Sequence, residues 1–85
     1  MNISFNNDAW NEYKYWEFQD KKHLRRINRL IDDIVRNGAY KGIGKPEPLK
    51  YLGADIWSRR IDKSNRLVYL YNLNSFIIES CHYHY

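Results

Sequence analysis

The stretch CHYHY, residues 81–85, brings a cysteine and two histidines close together. Imidazole and thiol groups serve as metal ligands, nucleophiles or proton carriers. His82 and His84 could supply two ligands to a metal ion, but nothing else supplies a third and fourth ligand at a recognisable spacing. The sequence therefore predicts neither a metal site nor another cofactor.

Nucleophilic catalysis by Cys81 is a weaker interpretation still. Side chains alternate between the two faces of a strand, so Cys81 would point away from His82 and His84. A lone cysteine most often behaves as a small buried hydrophobic residue. The single cysteine excludes an internal disulfide and fits a reducing compartment, which predicts a cytoplasmic protein. Apolar runs are far shorter than the ~20 residues of a membrane helix, and no signal-peptide pattern is present.

Acid–base cleavage of RNA is the third chemistry that these residue types allow. It needs a base for the 2′-hydroxyl proton, cations for the charged phosphorane, and an acid for the leaving 5′-oxygen. Glu47, Arg66 and His84 could fill these roles, and Tyr85 could stack on an unpaired base. Supporting cations that could contact RNA are Lys50, Arg59 and Arg60. Taken singly, each residue is explained more simply as a surface charge, an ion-pair partner or a strand residue; only their convergence would indicate a site.

The first part of the chain predicts a short strand, MNISF, and two helices that follow it. Asn6, Asn7 or Asp8 can cap the first helix, and Asp20 can cap the second. The second helix carries an apolar stripe and an opposite basic face, and it should end where Gly38 can take a positive φ. Helices so close in sequence are expected to form an antiparallel hairpin.

The second part of the chain predicts a loop and then strands. AYKGIGKPEPLK contains both prolines and two glycines, which is typical of a loop. The apolar period then becomes two, and IWSRRI, RLVYLYNL and SFIIESCHYHY are predicted strands. Short connections imply antiparallel pairing. The prediction is one α+β domain over residues 1–85, with two N-terminal helices packed on one face of an antiparallel sheet.

Alternation also predicts how the last two strands face each other. Pairing through a tight turn near Asn74 would place Arg66 opposite His82 and diagonal to His84. One face of the last strand is then expected to carry Ile78, Ser80, His82 and His84.

The charge distribution is compatible with a polyanionic partner. The formal net charge is +4, and residues 1–20 are acidic while the basic excess lies in the rest of the chain. Such an excess suits RNA, although in a small domain it more often serves solubility. The arginine-rich face of the second helix is interpreted first as a solvated surface and second as an electrostatic contribution to RNA or ribosome binding.

Four stretches, in the same order and without large gaps, give the chain a specific resemblance. GKPEPLK (44–50), WSRRI (57–61), RLVY (66–69) and the closing YHY resemble the YoeB-type toxins of the RelE superfamily. These are the toxin halves of bacterial type II toxin–antitoxin pairs. The resemblance implies a microbial-ribonuclease-like fold and a metal-independent endoribonuclease that cuts mRNA in the A site of the 70S ribosome, which inhibits translation.

The resemblance also implies residue roles. The general base falls on Glu47, the phosphate-stabilising arginine on Arg66 and the general acid on His84, while Tyr85 helps to position the substrate. Lys50 and Arg60 take the places of supporting basic residues. His82 is a departure, because relatives more often carry a longer basic residue there, and its role stays open.

The implied partners follow from the same resemblance. They are a YefM-type antitoxin whose C-terminal segment reshapes the site, a second toxin copy in a homodimer, and operator DNA bound only through the antitoxin. A function of another class stays open beside it, a non-catalytic module that blocks translation by occupying RNA or the ribosome. Strand scission in stalled ribosomes would separate the two.

Overall fold

The computed structural model describes residues 2–82, in which two helices pack on one face of a five-stranded sheet. The elements are β1 (Ile3–Phe5), α1 (Asn7–Gln19), α2 (Lys21–Asn37), β2 (Glu47–Pro48), β3 (Ile56–Arg60), β4 (Arg66–Tyr71) and β5 (Phe76–Ser80). The strand order is β1-β5-β4-β3-β2, with β2 to β5 antiparallel and β1 parallel to β5. The predicted α+β class is confirmed.

Both helices begin at the polar residues that the sequence predicts. The Asn6 side chain accepts a hydrogen bond from the Ala9 amide at 2.8 Å, which selects Asn6 among the three candidate caps. The Asp20 carboxylate accepts bonds from the amides of Lys22 and His23 and caps α2. Gly38 ends α2 at a φ of 89°, as predicted. Within the described residues neither helix is long and apolar enough to cross a membrane.

The core lies between the helix hairpin and the sheet. The apolar stripe of α2 is buried against inward-facing side chains of β4 and β5. Burial of each large aliphatic side chain contributes about 1.5–3 kcal/mol relative to an exposed one. The fully buried members of this core include Ile27, Leu30, Ile34, Leu67, Tyr69 and Ile78.

The segment predicted as a loop contains a two-residue strand. Glu47 pairs with Ser58 and Pro48 with Trp57, so β2 forms one edge of the sheet. A proline is tolerated there because an edge strand does not need every amide for pairing. This short strand places Glu47 in a fixed register beside β3.

The pairing of β4 with β5 contains an irregularity that simple alternation misses. Tyr69 pairs with Ile78, but the register shifts after it, and Val68 pairs with Ser80. Tyr69 and Val68 are consecutive and therefore face opposite sides, so Ile78 and Ser80 also face opposite sides. The prediction that Ile78 and Ser80 share a face is wrong. Glu79 is an extra residue in β5, and this bulge interrupts the alternation of side chains between the two faces of the strand.

Candidate active site

The sheet register brings Glu47 and Arg66 together on the face away from the helices. Glu47 pairs with Ser58, Ser58 with Val68, and Val68 with Ser80, so these four side chains form a row across the strands. Arg66 lies two residues before Val68 and projects from the same face. Its Nη1 atom lies 3.4 Å from Glu47 Oε1 and donates a hydrogen bond to Ser58 Oγ at 2.9 Å.

The environments of the two charged groups suit different tasks. The Glu47 side chain is 57% exposed, whereas that of Arg66 is only 19% exposed. An exposed carboxylate can exchange protons with a bound hydroxyl, and an oriented guanidinium can bind phosphate with several N–H donors. An ion pair with so exposed a partner contributes little to stability. The pair therefore does little to hold the fold together.

One of the predicted supporting cations, Arg60, lies beside this pair. Arg60 pairs with Arg66 across β3 and β4, so both project from the face that carries Glu47, and Arg60 is exposed. Lys50 is also exposed, three residues after Glu47. Arg60 therefore adds an exposed positive charge beside the Glu47–Arg66 pair, as an electrostatic site for phosphate requires.

Arg59 has a different position from the one predicted. It follows Ser58 on β3, so alternation turns it to the helix side, where its side chain is 0% exposed. Its guanidinium donates to Asp33, to the hydroxyl of Tyr69 and to three loop carbonyls. A fully buried, fully bonded side chain cannot contact RNA. In this structure the predicted RNA contact of Arg59 is replaced by a structural role.

The predicted acid His84 and the predicted stacking residue Tyr85 lie outside the described residues. The chain just before them is held against α1. The Cys81 carbonyl accepts a hydrogen bond from Trp16 Nε1 at 2.9 Å, and its amide donates to Glu12 Oε1 at 2.8 Å. These two hydrogen bonds were not predicted from the sequence, in which Trp16 belongs to an apolar helix face and shows no sign of a polar contact.

His82 packs against the aromatic side chains of α1. Its ring stacks on Tyr15 with centroids 5.0 Å apart and meets the edge of Trp16 at 5.1 Å. Trp16 in turn stacks on His23 at 3.5 Å. The His82 ring therefore packs on α1 and helps to hold the end of the sheet against the helix hairpin.

Cys81 is unsuited to nucleophilic chemistry. Its thiol is 0% exposed and donates to the Ala9 carbonyl at 3.7 Å. Burial, with a smaller contribution from the Glu12 carboxylate, raises the pKa of Cys81 to about 12. A thiol with that pKa is protonated at neutral pH, so it supplies no thiolate. Among residues 2–82, no three His, Cys, Asp or Glu side chains lie close enough together to hold a metal ion.

A groove of about 520 Å³ lies beside the row of site residues on the same sheet face. Its lining includes Val68 and Ser80 of the sheet and the exposed side chains of Tyr51 and Leu52. The acidic residues Asp8, Glu12 and Glu79 line the groove as well. An aromatic ring and an aliphatic side chain can cover the face of an unpaired base. Neither Tyr51 nor Leu52 is among the site residues predicted from the sequence, although an aromatic residue in a loop is a signal for base stacking.

Three comparisons place the chain among known proteins. A family model described as "YoeB-like toxin of bacterial type II toxin-antitoxin system" matches residues 5–85. Toxin YoeB of Streptomyces coelicolor is 47% identical and Toxin YoeB of Escherichia coli K12 is 42% identical, each over 100% of both chains. The YoeB dimer from Staphylococcus aureus superposes with a TM-score of 0.93 at 48% identity, covering 100% of this chain and 98% of that one.

Two further solved structures bear on partners and on fold. A heterotetrameric YoeB–YefM complex from Staphylococcus aureus matches with a TM-score of 0.90 at 49% identity, covering 100% of this chain and 98% of that chain. The Escherichia coli DinJ–YafQ complex matches with a TM-score of 0.83 at only 14% identity, covering 98% and 92%. The second match shows a shared fold alone, whereas the first agrees with the whole-length sequence matches.

Proposed function

Because this chain belongs to the YoeB-like toxins of bacterial type II toxin–antitoxin systems, we propose that it is an endoribonuclease toxin. It cleaves mRNA in the ribosomal A site, in the cytoplasm, and thereby inhibits translation. The observation that carries the proposal is the juxtaposition of Glu47 and Arg66 on an open sheet face, with Arg60 beside them. Guanidinium groups supply the positive charge, so the reaction requires no metal ion.

The reaction is an in-line transfer at phosphorus. Glu47 removes the proton from the 2′-hydroxyl, and the 2′-oxygen forms a bond to phosphorus. The bond from phosphorus to the 5′-oxygen breaks, and His84 gives that oxygen a proton. The products are a 2′,3′-cyclic phosphate, which water can open to a 3′-phosphate, and a 5′-hydroxyl end. Tyr85 stacks on a base beside the scissile phosphate.

Arg66 binds the phosphorane as negative charge develops on its oxygens. Ser58 accepts one of its N–H bonds and so restrains the position of the guanidinium. Removal of one such donor from a transition state typically costs about 100-fold to 1,000-fold in rate. A carboxylate is a weak base, so geometry must supply much of the acceleration, and the ribosome supplies it by holding the mRNA in line.

The proposed partners follow from the solved relatives. The Staphylococcus aureus YoeB structures include a dimer and complexes with YefM. We infer that this chain also pairs with a YefM-type antitoxin, which covers the Glu47 and Arg66 face, and that it forms a homodimer. Operator DNA is bound only through the antitoxin, and mRNA on the 70S ribosome is the substrate.

Single-turnover cleavage of mRNA on programmed 70S ribosomes tests the proposal. Glu47→Gln and His84→Gln should each slow cleavage by at least about 100-fold while the folded state is retained. Glu17→Gln, an exposed change of the same kind on α1, serves as the matched control. Wild-type cleavage by both folded variants would overturn the mechanism. Inhibited translation with intact mRNA would instead support a non-catalytic ribosome-binding module.

A further inference from the structure

Arg59 uses every donor of its guanidinium in the interior of the protein. An arginine side chain has five N–H groups, and in this structure all five are directed at acceptors. The acceptors are Asp33 Oδ2, Tyr69 Oη (3.1 Å) and the carbonyls of Gly38 (2.7 Å), Lys41 (2.9 Å) and Ile43 (3.1 Å). Such complete bonding offsets the cost of burying the charge.

Most of these acceptors belong to one loop, residues 38–44, which connects α2 to the rest of the site. Asp33 on α2 binds the same loop, because its Oδ2 atom also accepts a bond from the Ile43 amide at 3.1 Å. The Arg59 guanidinium beside Asp33 holds the pKa of that carboxyl below its usual value, so Asp33 stays ionised. We name Arg59, Asp33 and Tyr69 the loop clasp.

The clasp leaves no space for a larger residue at its centre. A Cβ atom on Gly42 would overlap with Asp33 Oδ2 and lie 2.9 Å from Arg59 Nη1, and Gly42 has a φ of 131°. Only glycine accepts both the backbone conformation and the close approach. The loop is therefore built around the guanidinium.

The loop leads directly into the strand that carries Glu47. Arg60, the neighbour of Arg59, donates its amide proton to the Gly44 carbonyl at 2.6 Å, and Glu47 follows three residues later. Only two residues of β2 pair with β3, and the Leu49 amide adds one bond to the Ile56 carbonyl at 2.8 Å. So short an edge strand has little intrinsic stability, and its position depends on how its two ends are held.

We propose that Arg59 is a positioning residue for Glu47: the loop clasp holds residues 38–44 against β3 and so fixes the carboxylate beside Arg66. The inference rests on the proposed function, in which Glu47 is the base. Arg59 touches no reacting atom. Its contribution is the placement of Glu47, since a shift of about 1 Å at a reacting group can cost about 100-fold in rate.

Arg59→Lys tests this inference, because it keeps the charge and removes the planar fork that binds several carbonyls. We expect kcat for ribosome-bound mRNA to fall by about 10-fold to 100-fold, with KM for programmed ribosomes unchanged. Amide hydrogen exchange of residues 39–50 should become faster, while that of α1 and β5 stays the same. Arg36→Lys, on the exposed face of α2, is the control and should behave as wild type.

A double-mutant cycle separates positioning from a general structural role. In the Glu47→Gln background, Arg59→Lys should produce no further loss of rate, because the placement of a missing base no longer matters. The same fractional loss in both backgrounds would overturn the inference, and so would unchanged exchange of residues 39–50. If Arg59→Lys does not fold, Asp33→Asn takes its place with the same readouts. Full activity of folded Glu47→Gln would instead contradict the proposed function. Hydrogen exchange of residues 39–50 would still test whether Arg59 holds the loop in place.

Discussion

Two consecutive arginines show how strongly the position of a residue decides its role. Arg59 and Arg60 are chemically identical neighbours on β3, yet alternation turns one to the helices and the other to the open face. Arg59 is completely bonded inside the protein, whereas Arg60 stays available to a phosphate. Residue type alone therefore predicts a basic site but not which of its cations can bind RNA.

At this scale, Ser58 offers a sensitive test of the site. Ser58→Ala removes the hydroxyl that orients Arg66, while the small buried side chain keeps its packing. We expect cleavage to slow by about 3-fold to 10-fold, the equivalent of losing ~0.6–1.4 kcal/mol of hydrogen bonding. Single-turnover assays measure the rate, with Ser64→Ala in the exposed β3–β4 turn as control. A folded Ser58→Ala protein with wild-type rate would show that Arg66 needs no such support.

Among the elements, the end of β5 is held in place by several contacts to α1. The last described residues are held by Trp16 and Glu12 through the backbone of Cys81, and by Tyr15 through the ring of His82. All of these contacts come from α1. The helix hairpin thus supports the segment that precedes the predicted acid, in addition to covering the core.

Deletion of His84 and Tyr85 should therefore separate chemistry from folding. The anchors at Cys81 and His82 are kept, so we expect a thermal unfolding midpoint close to that of the full chain. Cleavage should fall by at least about 100-fold through loss of the general acid. Deletion of residues 81–85 is the comparison, and it should destabilise the domain because the buried Cys81 is lost. An unfolded 1–83 protein would show that the last two residues are chiefly structural.

At the scale of the whole molecule, His23 connects the two helices to the turn between β3 and β4. Its ring stacks on Trp16 of α1, and its Nδ1 atom lies 3.3 Å from Asp62 Oδ2 in the turn between β3 and β4. Its Nε2 atom is buried and has no hydrogen-bond partner among the described residues. Burial lowers the pKa of His23, although the carboxylates of Asp62 and Asp20 act in the opposite direction.

This environment predicts a loss of stability in mild acid. The unfolded chain binds a proton at His23 near pH 6.5, whereas the folded chain resists it to lower pH. The contribution of His23 is therefore complete above about pH 6.5 and declines as the pH falls towards the folded pKa. Urea unfolding at a series of pH values should show this slope, and His23→Asn should reduce it. An identical slope in His23→Asn would assign the effect to other groups.

The sequence by itself determined the two helices, the cap of α2, the three longer strands and the α+β class. These follow from local properties, because an apolar period and a capping side chain act within a few residues. They explain why Asp20 and Gly38 bound α2 as the sequence predicts, and why the cap of α1 is one of the three candidates, Asn6. The types of the residues around Glu47 and Arg66 also led to the prediction of acid–base chemistry, although each residue taken singly had a simpler explanation.

Only the tertiary structure decided the parallel place of β1, the short strand β2, the bulge at Glu79 and the burial of Arg59. Each depends on partners in other elements, such as Asp33, which lies 26 residues from Arg59, or Phe76, which pairs with Ile3 of β1. A local pattern shows that a side chain is charged, polar or apolar. Whether that charge is bonded inside the protein or left open to substrate depends on which remote groups the folded chain places around it.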